Sequence, residues 1–257
     1  MPPRASPRLE TEFPFSPVNA IIYERFMHFM PISKSKICIV IPAYNEGGVI
    51  GNVLSSLKKG GYENIIVVDD GSNDDTYRVA NSYTVRVIRH NLNRGLGGAL
   101  GTGMEAAIRL GNEMIVTFDA DGQHAVHDIE KVALPIYQKK ADVVIGSRLK
   151  NRAGMPWYRV LMNILGNVAT YMLFGIWCSD TQSGLRAFSL ESAKKLHIRS
   201  NRMEVSSEII REIKRLDLKM IEVSIQAIYT EYSLSKGQSL LTGIKTFFRL
   251  LLHRLMH

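Results

Sequence analysis

Ile37-Cys38-Ile39-Val40-Ile41-Pro42-Ala43-Tyr44-Asn45-Glu46 joins an unbroken run of mostly β-branched residues to a short polar tail. A run without alternation predicts a strand covered on both faces. Ile65-Ile66-Val67-Val68, Val85-Arg86-Val87-Ile88, Met114-Ile115-Val116-Thr117-Phe118 and Val143-Val144-Ile145 repeat the signal. Between these runs, 48–59, 74–83, 97–110 and 129–139 predict helices. Strand and helix in alternation predict an α/β chain with a mostly parallel, Rossmann-like central sheet and helices on both faces.

In such sheets the ligand lies beyond the carboxyl ends of the strands. The residues there are polar: Pro42-Ala43-Tyr44-Asn45-Glu46, Asp69-Asp70-Gly71-Ser72, Asp119-Ala120-Asp121-Gly122-Gln123-His124 and Gly146-Ser147-Arg148. Alternating carboxylates such as Asp119 and Asp121 suit a hard divalent cation, since Mg²⁺ takes few protein oxygens and keeps other positions for water and phosphate. Gln123 extends the alternation and offers a carbonyl oxygen. An isolated Asp-x-Asp more often caps a turn or helix. The second acidic pair, Asp69-Asp70, shifts the balance toward a metal, because clustered carboxylates are costly without a cation. His124 is expected beside this set rather than in it. The glycine run 95–103 fits neither the dinucleotide nor the P-loop spacing, because Leu100 stands where a glycine is required and no Gly-Lys-Ser/Thr follows. Phosphate binding and close helix packing both remain open for it.

With 257 residues, 46% hydrophobic and 22% charged, the chain has a globular composition, which excludes a collagen, a coiled-coil rod or a disordered tail. Its two cysteines, Cys38 and Cys178, cannot build a disulfide framework or a Cys-x-x-Cys site, so a reducing cytosolic setting is the default. The net charge of +8 is concentrated in two acid-free stretches, one with Arg148, Lys150, Arg152 and Arg159, the other running from Lys236 to the end. Basic and apolar residues together point to an anionic membrane surface or a phosphorylated ligand. Nucleic acid is not expected, since zinc-finger spacing, an aromatic RNA motif and a basic helix-turn-helix are all missing. Residues 1–17 are proline-rich and read as an extended arm, not a signal peptide. The stretch 157–178 is apolar and just long enough to test as a span. It sits between Ser147-Arg148 and Asp180, which must meet at one site, so a helix or hairpin at the membrane interface is expected instead. Residues 241–257 predict a basic amphipathic helix.

Taken in order, Ile41-Pro42-Ala43-Tyr44-Asn45-Glu46, Val68-Asp69-Asp70-Gly71-Ser72, Asn93-Arg94-Gly95, Asp119-Ala120-Asp121-Gly122-Gln123, Gly146-Ser147-Arg148 and Asp180-Thr181-Gln182-Ser183-Gly184 resemble the family-two glycosyltransferases of GT-A fold. The branch with dolichol-phosphate mannose synthases and polyprenyl-phosphate glycosyltransferases is the most similar. The resemblance implies a GT-A domain over 36–240, which leaves the arm over 1–35 and the amphipathic helix over 241–257 on either side of it. It implies that Pro42, Ala43, Tyr44, Glu46, Asp70, Gly95 and Asp119 surround the nucleotide, and that Asp119, Asp121 and Gln123 hold Mg²⁺ or Mn²⁺. It further implies catalytic roles for Asp121, Asp180 and Arg148, the last at the diphosphate, and acceptor-phosphate contacts from Arg159 and Lys236. Relatives end their C-terminal loop with a phosphate-binding Lys after Gly-x-Ser; here Gly237-Gln238-Ser239 runs into Leu240, leaving Lys236 as the substitute.

The expected reaction is inverting transfer of one hexose from a GDP- or UDP-sugar to a polyprenyl or dolichyl phosphate, by a peripheral protein at the cytoplasmic membrane face. A membrane-protein partner or a homo-oligomer is compatible with it. The alternatives are a hydroxyl acceptor, with Asp180 as base, and a non-catalytic nucleotide-binding membrane scaffold. The processive motif Gln-x-x-Arg-Trp is missing, so a single transfer per acceptor is expected.

Overall fold

The computed structural model describes residues 32–151, 155–201 and 204–229. Most of the proline-rich arm, Arg152, Lys236 and the predicted helix 241–257 lie outside the described residues. Strands β1 (Ile37–Ala43), β2 (Ile65–Asp69), β3 (Arg86–Arg89), β4 (Met114–Thr117), β5 (Val143–Ser147), β6 (Arg186–Ser189) and β7 (Met220–Ser224) form one sheet. Their order is β3-β2-β1-β4-β6-β5-β7. Among the described residues the α-helices are α1 (Ile50–Lys59), α2 (Thr76–Asn81), α3 (Leu96–Leu110), α4 (Asp128–Tyr137), α5 (Trp157–Phe174), α6 (Leu190–Lys195) and α7 (Val205–Arg215).

The unbroken apolar runs reflect two cores. Ile37, Ile39 and Ile41 of β1, with Ile65 and Val67 of β2, pack against Ile50, Leu54 and Leu57 of α1 and Ile129, Val132 and Ala133 of α4. Cys38, Val40, Ile66 and Val68 point to the opposite face and meet Ala99, Leu100 and Met104 of α3 and Ile209, Ile210 and Ile213 of α7. Successive side chains leave a strand on opposite sides, so a strand covered twice must be apolar throughout. Ile32, inside the stretch read as an arm, packs into the first of these cores.

Strand β6 was not anticipated, and neither was β7. Each is short, β6 begins with Arg186, and β7 carries Glu222 at the sheet edge. β6 runs antiparallel to both neighbours, with Thr117↔Arg186 against β4 and Ile145↔Arg186 against β5. This reversal brings the segment before β6 across the carboxyl ends of β4 and β5.

The apolar stretch forms α5 but stops at Phe174, four residues short of the expected end. Gly175 there takes a left-handed conformation (φ 64°), and its N–H bonds to the Tyr171 carbonyl at 2.6 Å. Among the described residues no helix is long and apolar enough to cross a membrane. One face of α5 is buried through Asn167, Ala169 and Thr170, and Thr170 Oγ1 meets Ser207 Oγ of α7 at 3.2 Å. The other face leaves Trp157 (76%), Leu161 (47%), Leu165 (46%) and Met172 (64%) exposed.

The closeness of α3 to the sheet depends on Gly103, where a Cβ would lie 2.3 Å from Val40 Cγ1. Gly103→Ala should therefore destabilise the fold by about 1–3 kcal/mol through overpacking. Urea unfolding should show a lower midpoint at unchanged slope; an unaltered midpoint would mean α3 is free to move outward at no cost.

Candidate functional site

The loops after β1 and β2 are stitched into one wall. Asn45 N donates to Ser72 Oγ (2.9 Å), Asn73 N to Asn45 Oδ1 (2.9 Å), Glu46 N to Thr76 Oγ1 (2.7 Å) and Gly47 N to Asp74 Oδ2 (2.9 Å). Small hydroxyl and amide side chains at the strand ends do this because they reach neighbouring backbone N–H groups. Behind the wall lies a cavity of 460 Å³ lined by Pro42, Ala43, Tyr44, Asp70, Asn93, Gly95, Leu96 and Ala99. Asp70 is buried and acts as its organiser. It accepts Arg94 N (2.9 Å) and Gly95 N (2.7 Å), and His90 Nδ1 lies 2.7 Å from Oδ1. Gly95, at φ +85°, gives the turn a conformation that a side chain resists.

Asp119 and Asp121 follow β4. Asp119 Oδ2 lies 2.9 Å from Nε2 of His124, whose ring packs edge-on to Phe118 at 5.5 Å. Gly184 presses against the same carboxylate, since a Cβ there would sit 2.1 Å from its oxygens. Asp121 accepts Gln123 N (2.9 Å) and Gln123 Nε2 (2.7 Å), so Gln123 presents its amide nitrogen, not its carbonyl oxygen, to Asp121. Burial opposes ionisation of Asp119, but the His124 hydrogen bond and the charges of His124, Arg148 and Arg186 outweigh it and hold this carboxyl below its ordinary value. Burial, and then the charge of Asp119, push Asp121 upward against the Gln123 amide; Glu46 adds to the rise.

This donor set fits a hard divalent cation. It consists of two neighbouring carboxylates, one of which resists ionisation because it is buried beside the other's negative charge. Among the described residues no group of three or more His, Cys, Asp or Glu could hold a metal. A metal at Asp119 and Asp121 would thus take its other ligands from an amide oxygen such as that of Gln123, from water or from a bound diphosphate.

Arg148, after β5, grips Asp180. Its Nε reaches Asp180 Oδ2 at 2.8 Å, a second guanidinium nitrogen reaches Oδ1 at 2.9 Å, and Arg148 N donates to Oδ2 at 2.9 Å. Asp180 is fully buried, and Arg148 keeps 15% of its side chain exposed. Asn167 of α5 clamps the flanking residues, donating to Ser179 O and accepting Thr181 N (3.0 Å) and Thr181 Oγ1 (2.9 Å). Glu222 of β7 accepts Ser179 N and Ser179 Oγ from the other side. Arg186 closes the turn by donating to Ser183 O and Thr181 O. Arg159 stacks on Tyr229, 5.5 Å from its ring centre. Both cysteines are free and buried, and burial pushes the Cys38 thiol up to about 12.

The structure gathers Pro42, Ala43, Tyr44, Asp70 and Gly95 around one cavity and sets Asp119 and Asp121 side by side. Arg148 and Asp180 form a pair that sequence spacing did not reveal. His90, Asn167, Gly184, Arg186 and Glu222 were not singled out. Of these, Gly184 closes the Asp180–Gly184 motif and Asn167 left a signal as a strongly polar residue inside an apolar helix.

Removing one member of a buried ion pair strands the other, at about 3–5 kcal/mol. Arg148→Ala should lower stability by that amount, measured by urea unfolding. A loss under about 1 kcal/mol, the range of surface pairs, would show that water solvates Asp180 freely.

A glycosyl transferase family 2 profile matches residues 38–197. An uncharacterized protein of Methanocaldococcus jannaschii is 48% identical over 229 residues, spanning 87% of this chain and 94% of its own. The UDP-N-acetylglucosamine–dolichyl-phosphate N-acetylglucosaminyltransferase of Methanococcus voltae is 41% identical over 238 residues, covering 84% of this chain and 95% of that one. The crystal structure of glucosyl-3-phosphoglycerate synthase from Mycobacterium tuberculosis with Mn²⁺, UDP and glucosyl-3-phosphoglycerate superposes with a TM-score of 0.64 at 22% identity, over 85% of this chain and 79% of that one. Strand-end motifs, sheet order and these likenesses agree: the chain is a GT-A-fold glycosyltransferase that belongs to glycosyl transferase family 2.

Proposed function

We propose that the protein transfers a single sugar from a nucleoside diphosphate sugar to a polyprenyl or dolichyl phosphate, working peripherally at a membrane surface with Mg²⁺ or Mn²⁺ bound. The observation that carries this reading is the bond network of Asn167, which ties the α5 helix to the residues on either side of Asp180. An exposed apolar stripe and the far wall of the site are thereby parts of one rigid unit. A lipid acceptor requires that arrangement, since its tail must stay in the membrane while its phosphate reaches the sugar.

The nucleotide would occupy the 460 Å³ cavity against Pro42, Ala43, Tyr44, Asp70 and Gly95; Glu46, two residues beyond Tyr44, does not line it. Asp119, Asp121 and Gln123 would hold the metal, which when bound neutralises the departing diphosphate. For Gln123 this requires its amide to turn from the Asp121 contact it makes here. Arg148 stands close enough to Asp119 to raise its ionisation and supplies a further fixed positive charge. Asp180 is fully buried and both its oxygens accept from Arg148, so it offers no exposed carboxylate to an incoming hydroxyl. A phosphate acceptor needs none, being anionic near neutral pH. This favours the phosphate over the hydroxyl acceptor. Attack from the face opposite the diphosphate inverts the anomeric centre, and no sugar is carried on the protein. Arg159, stacked on Tyr229, is proposed as a contact of the acceptor phosphate, a role also proposed for Lys236, which lies outside the described residues.

The test is transfer of labelled sugar into the organic phase, with Mn²⁺, a polyprenyl phosphate and a donor panel led by UDP-N-acetylglucosamine, the donor in the archaeal relative's name. Product confined to the aqueous phase would remove the lipid reading. Asp121→Ala should lower turnover at least about a hundredfold, equivalent to roughly 2.7 kcal/mol of barrier, with the fold intact by circular dichroism. Full activity in that variant would reject the metal assignment.

The membrane role of α5 has its own test. Burying one such side chain contributes about 1.5–3 kcal/mol, so the double variant Leu161→Ser, Met172→Ser should bind vesicles at least about tenfold more weakly. Turnover of a short, water-soluble prenyl phosphate should be retained. Equal loss on both acceptors would make α5 a structural helix only.

A further inference from the structure

Behind the nucleotide cavity, on the other side of α3, lies a second cleft that the proposed transfer reaction leaves unused. It measures 520 Å³ and runs between the glycine-bearing face of α3 and the segment 196–201. The walls meet at one point, where Gly97 N donates to Asn201 O at 2.9 Å and a Cβ on Gly97 would overlap the Ser200 carbonyl. At Gly101 a Cβ would meet nothing within 4 Å, so there the floor is bare and open.

The lining is strongly basic. Arg94, Lys194, His197 and Arg199 border it, with Glu105 as the opposing acid. Glu105 is already bonded to Arg109 at 2.6 Å. Other surface cations of the chain have found carboxylates, as in Lys34–Glu130, Lys36–Glu113 and Lys58–Glu63. Among the described residues no carboxylate engages the side chains of Arg94, Lys194, His197 or Arg199. The wall that bears Arg199 is built, not loose: the buried carboxylate of Glu208 accepts Arg199 N at 3.1 Å and Ser200 N at 2.8 Å. The amides of Gly97 and Gly98 are both taken by Asn201 O, so the attraction comes from side chains and not from the helix end.

Three permanent cations and an imidazole converging on an open floor form a receptor for a multiply charged anion. Two of them are guanidinium forks suited to paired oxygens. We propose that this cleft binds a phosphate-bearing ligand, separately from the donor and acceptor sites. That chemistry belongs equally to a soluble phosphate ester or diphosphate and to an anionic lipid headgroup, and the experiment distinguishes the two.

Inorganic pyrophosphate is the probe, titrated calorimetrically into the full chain in low salt with EDTA present, so that no divalent ion supports binding at Asp119 and Asp121. The expected result is binding that Lys194→Ala, Arg199→Ala weakens about tenfold. The charge-matched control Lys139→Ala, Lys140→Ala, far along the chain at the end of α4, should bind as the unaltered protein does. Flotation with vesicles of phosphatidylcholine, with and without phosphatidic acid, forms the second arm. Pyrophosphate binding that depends on Lys194 and Arg199, without a matching vesicle effect, assigns a soluble ligand. Loss of phosphatidic-acid-dependent flotation in the same variant assigns a headgroup. An unchanged response of the variant in both arms, or an equal weakening in the control, would overturn the site and leave only the diffuse field of a basic protein.

Discussion

The geometry of the site hangs on the pairing of Arg148 with Asp180. Both are largely out of water, and taking charges out of water costs several kcal/mol per ion. The structure offsets this with a two-pronged contact and a third bond from Arg148 N, so that both carboxylate oxygens are satisfied. Such a pair contributes little net stability, because the attraction mainly repays the cost of taking both charges out of water. It pins the end of β5 to the segment leaving α5. From that anchor the chain turns through 181–183 and presses Gly184 against Asp119 before entering β6. The distance between the two halves of the site is thereby fixed by one charged contact and one missing side chain.

The sheet explains why that contact is possible. In a wholly parallel sheet every connection would arrive at the amino ends of the strands, away from the site. β6 alone runs backward between β4 and β5, so the residues before it cross the carboxyl edge where Asp119 and Arg148 stand. Arg186, its first residue, then serves both the sheet, opposite Thr117, and the turn, through Thr181 O and Ser183 O. Its charge also helps hold Asp119 ionised despite burial.

The half of the site built from β1, β2 and β4 was legible in the sequence because each polar group directly follows its strand. Period and turn chemistry place Pro42, Asp70 and Asp119 at one edge with no knowledge of tertiary structure. In the other half Arg148 and Asp180 were legible as residues that meet at one site, but the groups that fix them were not, because Arg186 and Glu222 lie on β6 and β7. A four-residue strand opening on Arg186 and an edge strand holding Glu222 lack the apolar run that marks a buried strand. Asn167 shows the same limit differently. Its place in an apolar helix was visible, but that it reaches Ser179 and Thr181 depends on how α5 docks on α7. The stop of α5 at Phe174 likewise follows from one left-handed glycine that apolar periodicity does not register.

The same network bears on the order of events in transfer. With Asp180 held by Arg148 and its neighbours held by Asn167 and Glu222, the half proposed for the acceptor is built before any ligand arrives, and its cost in conformational entropy is met by folding. On the donor side, Asp121 is held above the ordinary carboxylate range by burial and by Asp119, a conflict that positive charge relieves. The rigid half therefore faces the apolar helix and the electrostatically unfinished half faces the nucleotide cavity. In the proposed reaction an ion-bearing donor would complete the second, while an acceptor that brings its own negative charge would ask only for cations and access from the first. Such a division suits the proposed pair of substrates, one from water and one from a lipid surface, because each half answers to one of them.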